Sequence, residues 1–212
     1  MKVSLSILTA DFSDFKNSVG EVMKASDYVH MDIMDGEFVP NISIGPAFVK
    51  SLRKLTDKPF DTHLMIRHPK NYIKEFVDAG SQYITFHIEA DCNAKEVIDL
   101  IHSYGIKAGI SIKPKTPVKV IEELLPYLDM VLIMSVEPGF GGQKFMPNSI
   151  EKAKRLKELK EEFGYNYLIN IDGGINDKTL PQVKDYLDLA VSGSFVCNAE
   201  DQMANLKKLQ EM

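Results

Sequence analysis

Short runs of β-type residues alternate with helix-type runs along the whole chain, eight times in 212 residues. No other feature restricts the fold as much. Each strand–helix pair has about 26 residues, which suits a parallel strand followed by a helical crossover. Strands are expected at residues 3–8, 28–34, 60–65, 83–88, 107–112, 130–136, 167–172 and 189–192. Between them, apolar residues recur at three- and four-residue steps, as on one face of a helix. Phe12, Phe15, Val19, Val22 and Met23 give the first such face, and residues 45–55 a short second one. Tyr72, Ile73, Phe76 and Val77 mark a third, then Val97, Ile98 and Ile101, then Ile121, Leu124 and Leu125. Ile150, Ala153, Leu156, Leu159 and Phe163 mark the longest helix, residues 180–186 another, and Met203, Leu206 and Leu209 the last. No GxGxxG follows the first strand, so an open dinucleotide-binding sheet lacks its signature. The expectation is a single α/β domain over residues 1–212, a closed (β/α)8 TIM barrel, with reacting groups at the C-terminal ends of its strands.

Composition narrows the partners. Lys and Arg number 25 against 30 Asp and Glu, a formal charge of −5, and no basic run stands out. Nucleic acid and anionic membrane surfaces are therefore not expected as partners. No apolar run reaches the ~18 residues needed to span a bilayer. Met1 to Ala10 has no secretory pattern, and Cys92 and Cys197 are the only thiols. A reduced, cytoplasmic protein is expected, with Met1 a true start.

Strand polarity is more specific. In a barrel strand, side chains alternate between the lumen and the helix layer. Val29, Met31 and Ile33 suit the helix layer, so Tyr28, His30, Asp32 and Met34 point inward. By the same rule Asp61, His63 and Met65 share a face, as do Asn170 and Asp172. His30, Asp32, His63 and Asp172 lie near strand C-termini and converge. Two imidazoles and two carboxylates in one confined space suit one divalent ion such as Zn²⁺, Mn²⁺, Fe²⁺ or Co²⁺. Taken singly, each is explained as well by an ion pair or a hydrogen-bonded core histidine; the convergence of four favours metal. His87, with Glu89 beyond it, is placed to support such a ligand. His68 and His102 read as surface residues. Met34, Met65 and Met134 fall at inward positions near strand ends, where their thioethers either fill the core or line a pocket.

The loops after the last three strands are rich in small residues. Gly139, Phe140, Gly141 and Gly142 follow the sixth, Gly173 and Gly174 the seventh, and Gly193 and Ser194 the eighth. Many barrels hold a phosphate between such loops. A small phosphorylated molecule is the expected ligand, with its phosphate on backbone amides and its other end at the metal.

In these residues the chain resembles the ribulose-phosphate 3-epimerase family. The matching segments are Ser6-Ile7-Leu8-Thr9-Ala10-Asp11-Phe12, the run His30-Met31-Asp32-Ile33-Met34-Asp35-Gly36-Glu37-Phe38-Val39-Pro40-Asn41, His63-Leu64-Met65, His87-Ile88-Glu89-Ala90, the loop at residues 138–145, and Asp172-Gly173-Gly174-Ile175. The resemblance implies a (β/α)8 barrel with a divalent metal that interconverts D-ribulose 5-phosphate and D-xylulose 5-phosphate. It implies His30, Asp32, His63 and Asp172 as ligands, with Asp32 the proton acceptor and Asp172 the donor. It also implies Ser6 and His63 as substrate contacts, the glycine loops at the phosphate end, and a homo-oligomer. Glu137 and Lys113 stand where the family usually has Asn, and Ser192-Gly193-Ser194-Phe195-Val196-Cys197 departs from its usual pattern. These departures bear on which sugar phosphate is preferred. A ketohexose phosphate such as D-allulose 6-phosphate is the alternative substrate, and a catalytically silent sugar-phosphate-binding barrel the non-enzyme alternative. The related decarboxylase barrels carry DxKxxD in the third strand, where this chain has Asp61-Thr62-His63-Leu64.

Overall fold

All seven residues of strand β2 (Tyr28–Met34) are buried, as expected of a parallel strand covered on both faces. The computed structural model describes residues 1–212. The other strands are β1 (Lys2–Ser6), β3 (Phe60–Met65), β4 (Tyr83–His87), β5 (Lys107–Ile112), β6 (Met130–Met134), β7 (Leu168–Asp172) and β8 (Leu189–Ser192). Each pairs in parallel with the next, and β8 returns to β1 with Lys2 opposite Leu189 and Leu5 opposite Ser192. The sheet is a closed eight-stranded barrel.

The α-helices are α1 (Phe15–Ala25), α2 (Pro46–Leu52), α3 (Ile73–Asp78), α4 (Ala94–Ser103) and α5 (Asn148–Phe163) between strands, with α6 (Ser194–Cys197) and α7 (Gln202–Gln210) after β8. Two of the expected helices differ in kind. Val118–Tyr127 winds as a 3-10 helix, and residues 180–186 form two short 3-10 turns, Leu180–Gln182 and Lys184–Tyr186. Prolines contribute: Pro126 and Pro181 have no amide hydrogen to donate. The first, fourth and sixth strands end one or two residues before the expected limits, where the chain leaves the ladder for the loops of the barrel mouth. No helix is long and apolar enough to cross a membrane.

Two layers of core follow from the strand pleat. Outward residues such as Val29, Met31, Ile33, Ile169 and Ile171 join the apolar faces of the helices in one continuous layer. Inward residues fill the lumen. Tyr28, Met130 and Leu189 close its N-terminal end, with Tyr83 and Leu168 packed on them. Leu132, Met134, Val136 and Val191 form one wall toward the other end, and Met34, Val39 and Met65 another. The polar side chains sit among these apolar groups.

Candidate active site

Register decides which polar groups meet. The β2–β3 pairing sets His30 beside Asp61, Asp32 beside His63 and Met34 beside Met65, while β6–β7 sets Met134 beside Asp172. His30 Nε2 and His63 Nδ1 each lie 3.4 Å from Asp32 Oδ1 and 3.8 Å from Asp172 Oδ2. One atom from each of the four residues lies within 4.8 Å of the others. Both of these imidazole nitrogens are buried and have no hydrogen-bond partner. Buried polar atoms ordinarily find partners, and two unpaired nitrogens facing two carboxylates form a donor set suited to a cation. Donors each ~2.0–2.2 Å from one shared ion stand no more than about 4.4 Å apart, and the 3.4 and 3.8 Å imidazole–carboxylate separations fall within that limit. The residues fit a divalent ion with mixed nitrogen and oxygen ligands.

Each histidine is held from behind. His30 Nδ1 donates to Asp61 Oδ2 at 2.8 Å, which also receives Asn170 Nδ2 at 3.3 Å and Ser4 Oγ at 3.4 Å. His63 Nε2 faces His87 Nε2 at 2.9 Å, and His87 Nδ1 faces Glu89 Oε2 at 3.2 Å. Ser6 Oγ donates to Asp32 Oδ2 at 2.7 Å and fixes that carboxylate in β2.

These contacts set the charges. Burial pushes the Asp32 carboxyl up, but His30 and His63 outweigh it and hold the group far below the usual carboxylate range. Burial and then the Asp32 charge push the Asp172 carboxyl the other way. Burial alone would lower His30, yet Asp61 and Asp32 raise it well above an ordinary histidine. His87 is pushed down to about 4, chiefly by burial, and stays neutral. Burial raises Glu89, but hydrogen bonds from His87, Thr116 and the Lys113 amide bring it to about 2.

Above the carboxylates opens a cavity of about 440 Å³. Asp32 and Asp172 line it, with Ser6 and the methionines Met34, Met65 and Met134. Gly139, Phe140, Gly141, Gly142, Gly173, Gly174, Gly193 and Ser194 line it as well, so the three small-residue loops meet at one opening. His30 and His63 are fully buried and do not line it, leaving the carboxylates as the exposed part of the cluster. Loop contacts shape the opening. Asp35 accepts the amides of Glu37, Phe38 and Arg67, so it organises the loop after β2. Asn41 Nδ2 donates to the Gly139 carbonyl at 2.8 Å and ties that loop to the one after β6.

Three further residues join the site. Asp61 was legible through its shared face with His63, and Asn170 through its shared face with Asp172. Lys178, the one lysine or arginine lining the cavity, had no such signal because it lies in a loop. His68 and His102 are exposed, and His102 pairs with Asp129 at 2.8 Å.

Known proteins share these features. Residues 2–197 match the model of the ribulose-phosphate 3 epimerase family. The ribulose-phosphate 3-epimerase of Bacillus subtilis is 43% identical over 213 residues, covering 99% of this chain and 98% of that one. The enzyme of the same name from Treponema pallidum is 44% identical over 191 residues, covering 89% and 88%. In fold, the chain resembles 3-hexulose-6-phosphate synthase from Salmonella typhimurium, with a TM-score of 0.75 at 17% identity over 100% of this chain and 97% of that one. KGPDC from Streptococcus mutans also gives 0.75, at 12% identity over 99% and 95%. At such identities the two structures share only the barrel, whereas the family match runs through the strands that carry the His and Asp cluster. The chain belongs to the ribulose-phosphate 3-epimerase family.

Proposed function

We infer that the chain is an isomerase that interconverts D-ribulose 5-phosphate and D-xylulose 5-phosphate, with Asp32 and Asp172 as its proton-transfer pair. One observation carries the assignment: two carboxylates from β2 and β7 face two unpartnered imidazole nitrogens at the base of a cavity rimmed by glycine loops.

The hydrogen at C3 of the sugar is acidified by the neighbouring C2 ketone. Asp32, positioned by Ser6, takes that proton, and the C–H electron pair becomes the C2–C3 double bond of an enediolate, with negative charge on the C2 oxygen. Asp172 gives a proton to C3 from the opposite face, the electrons return from oxygen, and the centre is inverted. The reverse reaction exchanges the roles. His30, Asp32, His63 and Asp172 would hold a divalent ion, which would supply positive charge to stabilise the developing oxyanion. Met34, Met65 and Met134 provide a polarizable, water-poor wall for the planar intermediate. The loops around Gly141, Gly174 and Gly193 hold the phosphate end and keep C3 between the two carboxylates.

Asp32→Asn and Asp172→Asn proteins test the pair, each expected to lose about 10²–10⁴-fold in turnover. In deuterated solvent each variant still labels C3, but of one epimer only and without forming the other. Epimerisation near the unaltered rate by either variant contradicts the assignment. Rates on ribulose 5-phosphate and allulose 6-phosphate, compared as kcat/KM, decide between pentulose and hexulose. The same proposal includes a cytoplasmic homo-oligomer, checked by cell fractionation and light scattering.

A further inference from the structure

The segment His87-Ile88-Glu89-Ala90 takes no part in the proton transfers, yet its two polar side chains are tied to the cluster. His87 and Glu89 continue a line of close contacts that starts at His63 and ends at the barrel mouth.

Two ring nitrogens 2.9 Å apart need one proton between them, because two lone pairs repel and two N–H groups collide. There are two ways to place it in neutral rings. If His87 Nε2 carries it, then His87 Nδ1 is bare and turns a lone pair toward Glu89 Oε2. If His63 Nε2 carries it, His87 accepts there and donates from Nδ1 to Glu89, and both contacts along the His63–His87–Glu89 line join a donor to an acceptor. The second arrangement leaves His63 Nδ1 bare, facing Asp32 and Asp172. A doubly protonated His87 is disfavoured by its surroundings. Its ring is fully buried and packs on Phe38 at 4.7 Å, whose ring already carries the Lys113 ammonium at 3.8 Å.

Glu89 is itself anchored. Oε1 accepts the Lys113 amide at 2.8 Å and the Thr116 hydroxyl. Lys152 on α5 donates to the carbonyls of Lys113 and Pro114 at 2.8 Å each and holds that loop in place. The two histidines are thus supported differently. His30 leans on the sealed carboxylate of Asp61 in one step, His63 on a half-buried carboxylate two steps away.

The geometry points to His87 and Glu89 as positioning residues, a relay that fixes the tautomer of His63 and turns its Nδ1 lone pair to the metal position. It rests on the metal site proposed above. The loop after β5, through its hold on Glu89, thereby sets the affinity of one side of that site.

The experiment has two readouts, both independent of turnover. Ring-¹⁵N spectra of the metal-free protein, which has only five histidines, report which nitrogen of His63 carries hydrogen. Titration with Co²⁺ alone, against a competing fluorescent chelator, gives the ion's affinity. The expected result is Nε2–H on His63 in the unaltered protein, a mixed tautomer in Glu89→Leu, and Co²⁺ binding weakened about 10–100-fold in Glu89→Leu and His87→Leu. His87→Gln presents an amide oxygen to His63 Nε2 and should recover most of the affinity. His87→Leu leaves a poorly filled core site; should it fail to fold, Glu89→Leu at the mouth decides. A His63 ring in the unaltered protein that carries hydrogen on Nδ1 and none on Nε2 overturns the relay. So does a Glu89→Leu protein with unaltered tautomer and Co²⁺ affinity. An unaltered protein that binds no Co²⁺ sinks the metal assignment instead, and the spectra still judge the tautomer.

Discussion

At Gly174 the loop after β7 packs against the backbone of the loop after β6, and replacing it by alanine has a cost that can be worked out. Its φ is +65°, and an added Cβ would stand 2.5 Å from Phe145 N, 2.9 Å from Phe145 Cα and 3.0 Å from the Gln143 carbonyl oxygen. All three are backbone atoms, which cannot rotate away as a side-chain tip would. The left-handed conformation costs an alanine about 1–2 kcal/mol. The overlap adds about 1–3 kcal/mol, for a total of about 2–5 kcal/mol. Gly164, which ends α5, is the control: its φ is +69° and nothing lies within 4 Å of the added Cβ, so only the conformational cost applies. A chain of this length has an unfolding entropy near 0.45 kcal/mol per degree, so each kcal/mol lowers Tm by about 2 °C. Thermal scans should therefore show a drop of about 4–11 °C for Gly174→Ala and about 2–4 °C for Gly164→Ala. The displaced loops border the cavity, so Gly174→Ala should also raise KM for the sugar phosphate, while Gly164→Ala leaves it unchanged. Equal melting shifts with an unchanged KM would refute the close approach of the two loops.

Asp61→Asn should weaken Co²⁺ binding by about 10-fold or more in a chelator competition, because His30 loses the carboxylate behind Nδ1. Protein stripped by chelation should lose epimerisation, and Co²⁺ at about 100 times its Kd should raise Tm by about 6 °C, or 2.7 kcal/mol. Lys178→Ala should raise KM about 3–10-fold with kcat preserved, measured at low salt, since it removes the one cation lining the cavity. Burial raises the Asp129 carboxyl, but Lys107, His102 and the Ala108 amide hold it below its ordinary value. Its contribution to stability is thus fully present above the unfolded-state pKa and lost as pH falls through the lower folded value. Asp129→Asn should flatten this part of the acid limb in urea midpoints recorded from about pH 6 to pH 3.

The strands were legible because burial on both faces leaves few polar residues in them, and those few alternate. His30, Asp32, His63 and Asp172 stood out for that reason, and the fold brings their side chains together. Asp61 obeys the same alternation, but it sits one residue pair deeper than His63, and the sequence alone does not distinguish a group that supports a ligand from a ligand. The helix type around Ile121, Leu124 and Leu125 was ambiguous for a geometric reason: spacings of three and four fit both 3-10 and α winding. Asp35 lies in the same segment as His30 and Asp32, yet its role is to collect backbone amides, which only the folded loop reveals. Lys178 reaches the cavity through a turn with no periodicity to read.

The pairing of β1 with β8 has a consequence for how the molecule is made. Lys2 to Leu5 find their second neighbours only once residues 189–192 exist, so a chain emerging from the ribosome carries an unpaired strand edge through most of its synthesis. The carboxylate of Asp172 likewise arrives long after His30 and Asp32. A nascent chain therefore holds three of the four cluster residues beside an open edge, the kind of intermediate that chaperones shield from aggregation. Truncation before the last strand would do more than trim the surface, because it would turn a ring into a sheet with two sticky ends.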